Sequence, residues 1–404
     1  MVGLKMTKKV TIFDTTLRDG EQAEGIAFTV HDKLKIVRLL DELGVDYIEG
    51  GWPASNPKAS EFFSEVESVK LRNAKMVAFG STCRADNPPE KDKNLQSLLD
   101  ANTPAVCIFG KTWDFHVTHA LNITLEKNLE LIAGSIKYLR SKKKEVLYDA
   151  EHFFDGFKAN KNYALKTIKA AQDAGASTIV LCDTNGGTLP QEIPEIMKEV
   201  KKVIKVVIGI HAHNDSDTAV ANSLVAVDQG AAQVQGTING FGERCGNANL
   251  CSIIPALNLK MDKPAITVKQ LEKLTELSHY ISEIANMIPN DRQAYVGRSA
   301  FAHKGGIHVS AVLKDSKTYE HIDPTLVGNQ QRVLVSEMSG VSNLIYKAKE
   351  FGVDLKKDSP ETRELLNKIK KMEHAGYQFE EGEASFELLL KKAVGKYRPI
   401  FTLE

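Results

Sequence analysis

The fold follows from one stretch near the N-terminus, Val10-Thr11-Ile12-Phe13-Asp14-Thr15-Thr16-Leu17-Arg18-Asp19-Gly20-Glu21-Gln22. Its apolar first half predicts a buried strand, and its second half places an arginine beside an aspartate where that strand ends. Burying adjacent charged groups costs free energy unless each has a partner. We therefore expect Arg18 and Asp19 to face other polar groups. The alternative is an N-terminal strand followed by a solvated turn.

Segments typical of strands and helices alternate from residue 10 to about residue 260. The predicted strands are 10–14, 47–50, 75–79, 105–109, 145–150, 178–182, 206–211 and 233–238. Helical patterns lie between them, for example at 32–43, 125–139, 164–174, 192–204 and 219–229. Eight strand–helix units in about 250 residues predict an α/β fold, a (β/α)8 TIM barrel. A doubly wound sheet is disfavoured, because no Gly-x-Gly-x-x-Gly turn follows an early strand.

The pattern changes after the predicted barrel, which we place in residues 1–262. Residues 263–383 predict helical linker subdomains, with helices at 268–285, 339–350 and 361–374. Residues 384–404 predict one helix and one short strand, which we interpret as the truncated start of a regulatory domain. The apolar face of that helix is expected to lack a partner and to be loosely held; it consists of Phe386, Leu388, Leu389 and Leu390.

Composition limits the class of protein. The 52 basic residues balance the 52 acidic ones, so no overall field attracts nucleic acid or a membrane surface. No apolar run approaches the roughly 20 residues of a membrane span. The five cysteines are odd in number and lack Cys-x-x-Cys spacing, which predicts a reducing compartment and a cytoplasmic protein. A catalytic thiol is a lesser alternative, with Cys182 the best placed.

A candidate metal site emerges from three predicted strand ends. Asp19 follows strand 1, His211 and His213 end strand 7, and Asn247 follows strand 8. Closure of the barrel makes strands 7, 8 and 1 neighbours, and residues i and i+2 of a strand share one face. Two imidazoles and two oxygen donors leave coordination positions open. The donor set therefore predicts a catalytic divalent ion, Mn²⁺, Mg²⁺ or Zn²⁺, rather than a closed structural zinc.

Four further residues are predicted to line the same pocket. Arg18, beside the metal ligand Asp19, suits a developing oxyanion, with a plain ion pair as the alternative. Glu151 ends strand 5 across the ring and is either a catalytic residue or a helix cap. Thr184 follows strand 6 and is either a pocket residue or a helix cap. Glu49 ends strand 2 and is either a substrate contact or a structural ion-pair partner.

These motifs resemble the DRE-TIM metallolyase family, in particular its Claisen-condensing branch. The matching stretches are Asp14 to Gln22, His211-Ala212-His213-Asn214-Asp215, Gly242 to Leu250, and Ser299-Ala300-Phe301-Ala302-His303-Lys304-Gly305-Gly306-Ile307-His308. The branch contains isopropylmalate, homocitrate and citramalate synthases. Residues 20–29 and 49–57, which include Trp52-Pro53, look most like the citramalate-forming members.

The resemblance implies a metal-dependent condensation of acetyl-CoA with a small 2-keto acid, here pyruvate, followed by thioester hydrolysis. It also implies that His308 and Tyr319 approach acetyl-CoA and reach the barrel of a second subunit. The expected working unit is thus a homodimer with subdomain exchange. Without a complete regulatory domain, we expect no response to isoleucine or leucine.

Three alternatives stay open at this point. The keto acid is that of an isopropylmalate or homocitrate synthase, or the chemistry is reversed, as in a lyase of the hydroxymethylglutaryl-CoA type. The third alternative is a barrel retained only for binding or regulation. Those lyases lack the long helical module, and the intact Arg18, Asp19, His211 and His213 disfavour a non-enzymatic barrel.

Overall fold

The computed structural model describes residues 9–399 and 401, in two compact units, one through Pro289 and the other from Asn290. In the first unit eight parallel strands close into a barrel. They are β1 Thr11–Asp14, β2 Tyr47–Gly51, β3 Lys75–Ser81, β4 Ala105–Lys111, β5 Glu145–Glu151, β6 Thr178–Asp183, β7 Val207–Ala212 and β8 Gln233–Gly236. The predicted TIM barrel is confirmed.

Helices surround the barrel of the first unit. They are α1 Val30–Leu43, α2 Pro57–Val66, α3 Lys93–Asp100, α4 Asp114–His119, α5 Leu125–Ser141, α6 Phe153–Asp173, α7 Ile193–Val203, α8 Ala219–Asp228, α9 Leu250–Leu259, α10 Val268–Leu271 and α11 Leu274–Ile284. Side-chain caps start several of them; Thr29 and Asp32 form a reciprocal capping box at α1. Gly44 ends α1 with φ 90°, a left-handed conformation that glycine adopts without steric cost.

The strand register places the residues of the candidate site. β1 pairs with both β2 and β8, and Asp14 lies opposite Gly236. In β7, His211 lies opposite Cys182 of β6 and Gln235 of β8. Because all eight strands are parallel, their carboxyl ends form one face of the barrel, where active sites of this fold lie.

Several predicted elements differ from the observed ones, most of them by one or two residues at an end. β8 ends at Gly236 rather than at residue 238, because the chain turns there into the short 3₁₀ helix Ile238–Gly240. The helix predicted at 268–285 is broken into α10 and α11. α6 begins at Phe153, well before residue 164, and the non-helical backbone of Asn160 (φ −147°, ψ 77°) interrupts its pattern.

The second unit is mainly helical. It contains the two-residue parallel strands β9 Ala302–His303 and β10 Arg332–Val333, and the helices α12 Gly306–Val312, α13 Val341–Glu350, α14 Pro360–His374 and α15 Glu383–Ala393. Our expectation that the apolar face of α15 lacks a partner is wrong. Phe386 and Leu390 share one helix face and are buried with Leu344 of α13 and Leu365 of α14, whereas Leu388 is half exposed.

Three further expectations concern the strand after α15, the boundary between the two units, and membrane-spanning helices. Among residues 394–399 and 401 no strand follows α15, so the strand predicted there is absent from the described residues. The observed boundary after Pro289 leaves α10 and α11 in the barrel unit. Within the part of the chain that the structure describes, no helix is long and apolar enough to cross a membrane.

Candidate active site

Asp19, His211 and His213 meet at the carboxyl ends of β1 and β7. All three are buried. Asp19 Oδ2 lies 3.2 Å from His211 Nε2 and 3.9 Å from His213 Nε2, and the two Nε2 atoms are 3.4 Å apart. One potential ligand atom from each residue lies within 4.8 Å of the others. The structure therefore brings together three of the four predicted metal ligands.

The charge states of this cluster follow from its surroundings. Burial alone would raise the pKa of Asp19, but Arg18 and the two imidazoles hold it well below its usual range. Burial opposes protonation of His211, yet Asp19 raises its pKa above the ordinary value. Burial and His211 lower the pKa of His213 to about 4. At neutral pH the cluster thus offers a carboxylate and at least one neutral imidazole, as metal binding requires.

Asn247 lies beside this cluster. An isolated antiparallel bridge joins its backbone to His213. Its Nδ2 donates to Phe241 O at 3.0 Å, and a Cβ at Gly242 would come within 2.1 Å of that nitrogen, so only glycine leaves room for it. The buried Oδ1 has no hydrogen-bond partner among the described residues. Its place as the fourth metal ligand stays a prediction.

The donors present fit a divalent cation. Two imidazole Nε2 atoms and a carboxylate oxygen converge, and the unsatisfied Asn247 Oδ1 is a buried acceptor of the kind that costs free energy when unpaired. Nitrogen and oxygen donors without thiolates suit Mn²⁺, Mg²⁺ or Zn²⁺. Asp19, His211 and His213 can therefore hold such an ion, and the donors do not distinguish among the three.

Arg18 is held by three contacts beside the cluster. Its Nε donates to Glu49 Oε2 at 2.6 Å, one terminal nitrogen lies 3.2 Å from Asp19 Oδ2, and its Cζ lies 3.9 Å above the centre of the Phe79 ring. Its side chain is only 14% exposed, yet it lines the cleft. Arg18 is therefore ion-paired and also faces the pocket, and its role at a developing oxyanion stays a prediction.

Glu49 lies behind Arg18. It is fully buried, and burial raises its pKa to about 7 although Arg18 opposes that shift. It is not among the residues that line the cleft. The contact that the structure shows is therefore the ion pair with Arg18, and a direct contact of Glu49 with substrate stays a prediction.

The cleft above the cluster has a volume of about 520 Å³. One wall is aromatic: Phe79 and Phe109 stack with ring centres 5.5 Å apart, and Trp52 meets them edge-on at 6.1 and 5.9 Å. Trp52 Nε1 donates to Asn94 Oδ1 at 2.8 Å, which fixes the indole. Arg18 lies against this wall. The cleft therefore has charged side chains at its base and rigid aromatic rings along one side.

Glu151 and Thr184 line the far side of the cleft. Glu151 ends β5 and forms an ion pair with Lys111, which ends β4. Thr184 Oγ1 accepts from the backbone N–H of His152 at 2.8 Å, just before α6. His152 precedes the first helical residue of α6, so this contact is not a helix cap, and both interpretations of Thr184 stay predictions. The Thr184 hydroxyl can still donate its own hydrogen.

Two features of the site were not anticipated from the sequence. Arg244 forms a two-point ion pair with Asp215, at 2.7 and 2.9 Å, and donates to Thr184 O at 2.8 Å, which ties together the loops after β6, β7 and β8. The motif Gly242 to Asn247 contains this arginine, but its partner depends on loop geometry. In addition, Gln235 is hydrogen-bonded to His211 and donates in turn to Asp149, which also lines the cleft.

The remaining predicted candidates are Cys182, His308 and Tyr319. Burial raises the pKa of the Cys182 thiol well above its usual value, which does not suit a nucleophile. In the second unit, the His308 and Tyr319 rings lie with centres 4.3 Å apart, and both side chains are exposed. The structure thus pairs them, and their role at acetyl-CoA stays a prediction.

Comparisons with known proteins cover most of the chain. The HMGL-like family matches residues 9–280, and the homocitrate synthase post-HMGL domain-like family matches residues 295–376. An (R)-citramalate synthase of Geobacter sulfurreducens is 60% identical over 98% of this chain and 75% of its own length. That of Aquifex aeolicus is 55% identical over 99% and 76%. A 2-isopropylmalate synthase of Sulfurisphaera tokodaii is 38% identical over 92% of each chain.

Solved structures share the barrel. An HMG-CoA lyase of Bacillus subtilis has a TM-score of 0.60 at 21% identity and covers 70% of this chain and 96% of its own. An HMG-CoA lyase of Brucella melitensis has a TM-score of 0.58 at 15% identity, with 69% and 99% covered. At these identities the likeness concerns the fold alone.

Proposed function

The chain belongs to the HMGL-like family, and we propose that it is an acyltransferase that condenses acetyl-CoA with pyruvate to give citramalate and CoA. The observation that carries this proposal is similarity to (R)-citramalate synthases over nearly the whole chain. Arg18, Asp19, His211 and His213 form the corresponding site at the carboxyl face of the barrel.

The keto acid binds at the buried floor of the cleft. Asp19, His211, His213 and Asn247 hold a divalent cation, which when bound supplies Lewis-acid polarisation of the keto group. Arg18 donates N–H groups to the keto oxygen, where negative charge grows as the new carbon–carbon bond forms. Glu49 and Phe79 hold the guanidinium in place, so its donors need little reorganisation during the reaction.

The size of the keto acid follows from the aromatic wall. Trp52, Phe79 and Phe109 brace one another edge-to-face and in a stack, so they yield little to a longer side chain. A methyl group fits beside such a wall, and a branched chain would have to displace a ring. Pyruvate is therefore the substrate that this cleft favours.

The second substrate loses a proton from its acetyl methyl group, and the resulting enolate carbon attacks the keto carbon. His308, paired with Tyr319, and Glu151 are the candidate bases for that proton. Water then cleaves the thioester and releases CoA as the thiol. The Thr184 hydroxyl is placed to donate a hydrogen bond to the keto-acid carboxylate. The exposure of His308 and Tyr319 supports a role at a surface that a second subunit completes, in a homodimer.

The release of free thiol from acetyl-CoA with pyruvate, 2-oxobutanoate, 2-oxoisovalerate and 2-oxoglutarate tests the proposal. We expect the highest kcat/KM with pyruvate, and dependence on added divalent cation. A preference for 2-oxoisovalerate or 2-oxoglutarate would identify an isopropylmalate or homocitrate synthase instead. No thiol release with any keto acid would contradict a condensing enzyme. A place in isoleucine biosynthesis and a cytoplasmic location are part of the same proposal.

A further inference from the structure

A chain of buried hydrogen bonds runs beneath the metal-site cluster, across the inside of the barrel. His211 Nδ1 lies 2.9 Å from Gln235 Oε1, and Gln235 Nε2 donates to Asp149 Oδ1 at 3.2 Å. Gln235 is fully buried and Asp149 is 4% exposed. The Cys107 thiol bonds to the Asp149 side chain from the other side. Four strands, β7, β8, β5 and β4, thus contribute to one line of polar groups.

The donor and acceptor in each of these hydrogen bonds follow from the group at the end of the series, Asp149. Burial raises the pKa of Asp149, but the nearby His211 and Arg18 and the hydrogen bonds from the Cys107 thiol and the Gln235 amide favour its carboxylate form. A carboxylate only accepts hydrogen bonds, so Asp149 faces the NH₂ end of the Gln235 amide. The amide oxygen then faces His211, and that oxygen only accepts. Consequently His211 Nδ1 must carry a hydrogen, and Nε2, which faces Asp19 and His213, is the nitrogen left for a cation. An amide or imidazole orientation is assigned from such a network.

We propose that Asp149 is a positioning residue that acts through Gln235 to keep His211 in the tautomer able to bind a metal ion. Partners of this kind orient metal-binding histidines, and their loss typically costs about 10- to 100-fold in metal affinity. The inference rests on the proposed function only in that it concerns the same cation site. It adds a requirement on Gln235 and on Asp149, which lines the cleft but is not among the predicted metal ligands.

Mn²⁺ affinity, measured by titration calorimetry on the full chain, tests the inference. Asp149→Asn retains shape but can present its amide nitrogen to Gln235, which allows the Gln235 amide to turn over. We expect Mn²⁺ binding to weaken about 10- to 100-fold in this variant. The double variant Asp149→Asn/Gln235→Glu exchanges the two groups. Its amide at position 149 donates to the carboxylate at position 235, and that carboxylate accepts from His211. We expect it to recover most of the lost affinity.

Gln233→Met is the matched control. Gln233 lies two residues earlier on β8, is equally buried, and its Oε1 has no hydrogen-bond partner among the described residues. Its replacement should leave Mn²⁺ affinity unchanged. Equal affinity in wild type and Asp149→Asn, or a double variant no better than the single one, would overturn the inference. Wild type that binds no Mn²⁺ would instead contradict the proposed function.

A measurement on the unaltered protein remains decisive if a variant fails to fold. ¹⁵N chemical shifts of the His211 ring in the metal-free protein should show a hydrogen on Nδ1. In Asp149→Asn a population with hydrogen only on Nε2 should appear. A wild-type ring with an unprotonated Nδ1 would overturn the inference irrespective of the variants.

Discussion

The barrel and the helical unit present their candidate groups in opposite ways. In the barrel, Asp19, His211 and His213 are 2%, 4% and 7% exposed, and each has charged or hydrogen-bonded neighbours. In the helical unit, Tyr319 is 47% exposed, and His308 beside it is exposed as well. The barrel cluster is therefore assembled within one fold, whereas the pair on the helical unit is presented to its surroundings.

Under the proposed function, this difference predicts separate tasks for the two regions. A buried, cross-bonded cluster loses little conformational freedom when it binds a cation and a keto acid, so it can bind both without help. An exposed pair has no such constraint and is suited to meet a substrate or a second subunit. Binding of the keto acid should therefore depend on the barrel cluster, and proton transfer from acetyl-CoA on the exposed pair.

Removing a metal ligand should give the largest effect. We expect His211→Ala to lower kcat/KM by about 10³-fold or more, because several kcal/mol of charge stabilisation are lost with the cation. Mn²⁺ binding should disappear as well. His31→Ala, on the exposed side of α1, is the control and should be as active as wild type. Metal-stimulated turnover in His211→Ala would mean that the cation binds elsewhere.

Arg18→Lys should have the next largest effect. Lysine retains the charge but not the planar set of donors that contacts Glu49, Asp19 and the cleft together. We expect kcat to fall about 10²- to 10³-fold, the usual loss when an oxyanion donor is removed, while Mn²⁺ affinity changes little. Steady-state kinetics compared with Arg38→Lys, an exposed arginine of α1, measure this. A fall in Mn²⁺ affinity alone would assign Arg18 to the ion pair only.

A smaller side chain in the aromatic wall should give the smallest effect, a change in the preference between keto acids. We expect Phe109→Leu to raise kcat/KM for 2-oxobutanoate relative to pyruvate by about tenfold, because one methylene in an apolar pocket is worth about 1–3 kcal/mol. Phe115→Leu, on an exposed position of α4, should leave the ratio unchanged. An unchanged ratio in Phe109→Leu as well would show that the keto-acid side chain lies elsewhere.

Much of the barrel cluster could be predicted because apolar runs in the sequence indicate where the strands lie, where they end and in which order they follow. Asp19, His211 and His213 each lie at or shortly after the carboxyl end of an apolar strand, and barrel closure brings β1 and β7 to either side of β8. The pairing of Arg18 with its neighbours could be expected for the same reason, since a buried arginine requires partners.

Other features depend on the direction in which a side chain points, and the pattern of apolar and polar residues does not determine that direction. The sequence predicts that Glu49 and Glu151 each end a strand. β2 instead continues to Gly51, and Glu49 is fully buried behind Arg18, whereas Glu151 ends β5 and lines the cleft. The contact between Gln235 and Asp149 joins β8 to β5, which are not neighbours in the barrel, so pairing rules could not indicate it. Thr184 meets His152 only because that residue adopts φ 56°.

The division of tasks is tested most directly by mixing two inactive variants. His308→Ala should bind Mn²⁺ and pyruvate as wild type does yet turn over about 10²-fold more slowly, because a proton-transfer group is missing. After unfolding and refolding together, equal amounts of His211→Ala and His308→Ala should recover about one quarter of wild-type activity. That value follows if half the dimers are mixed and each holds one intact site built from two subunits. No recovery, with mixed dimers demonstrated by mass, would contradict the account.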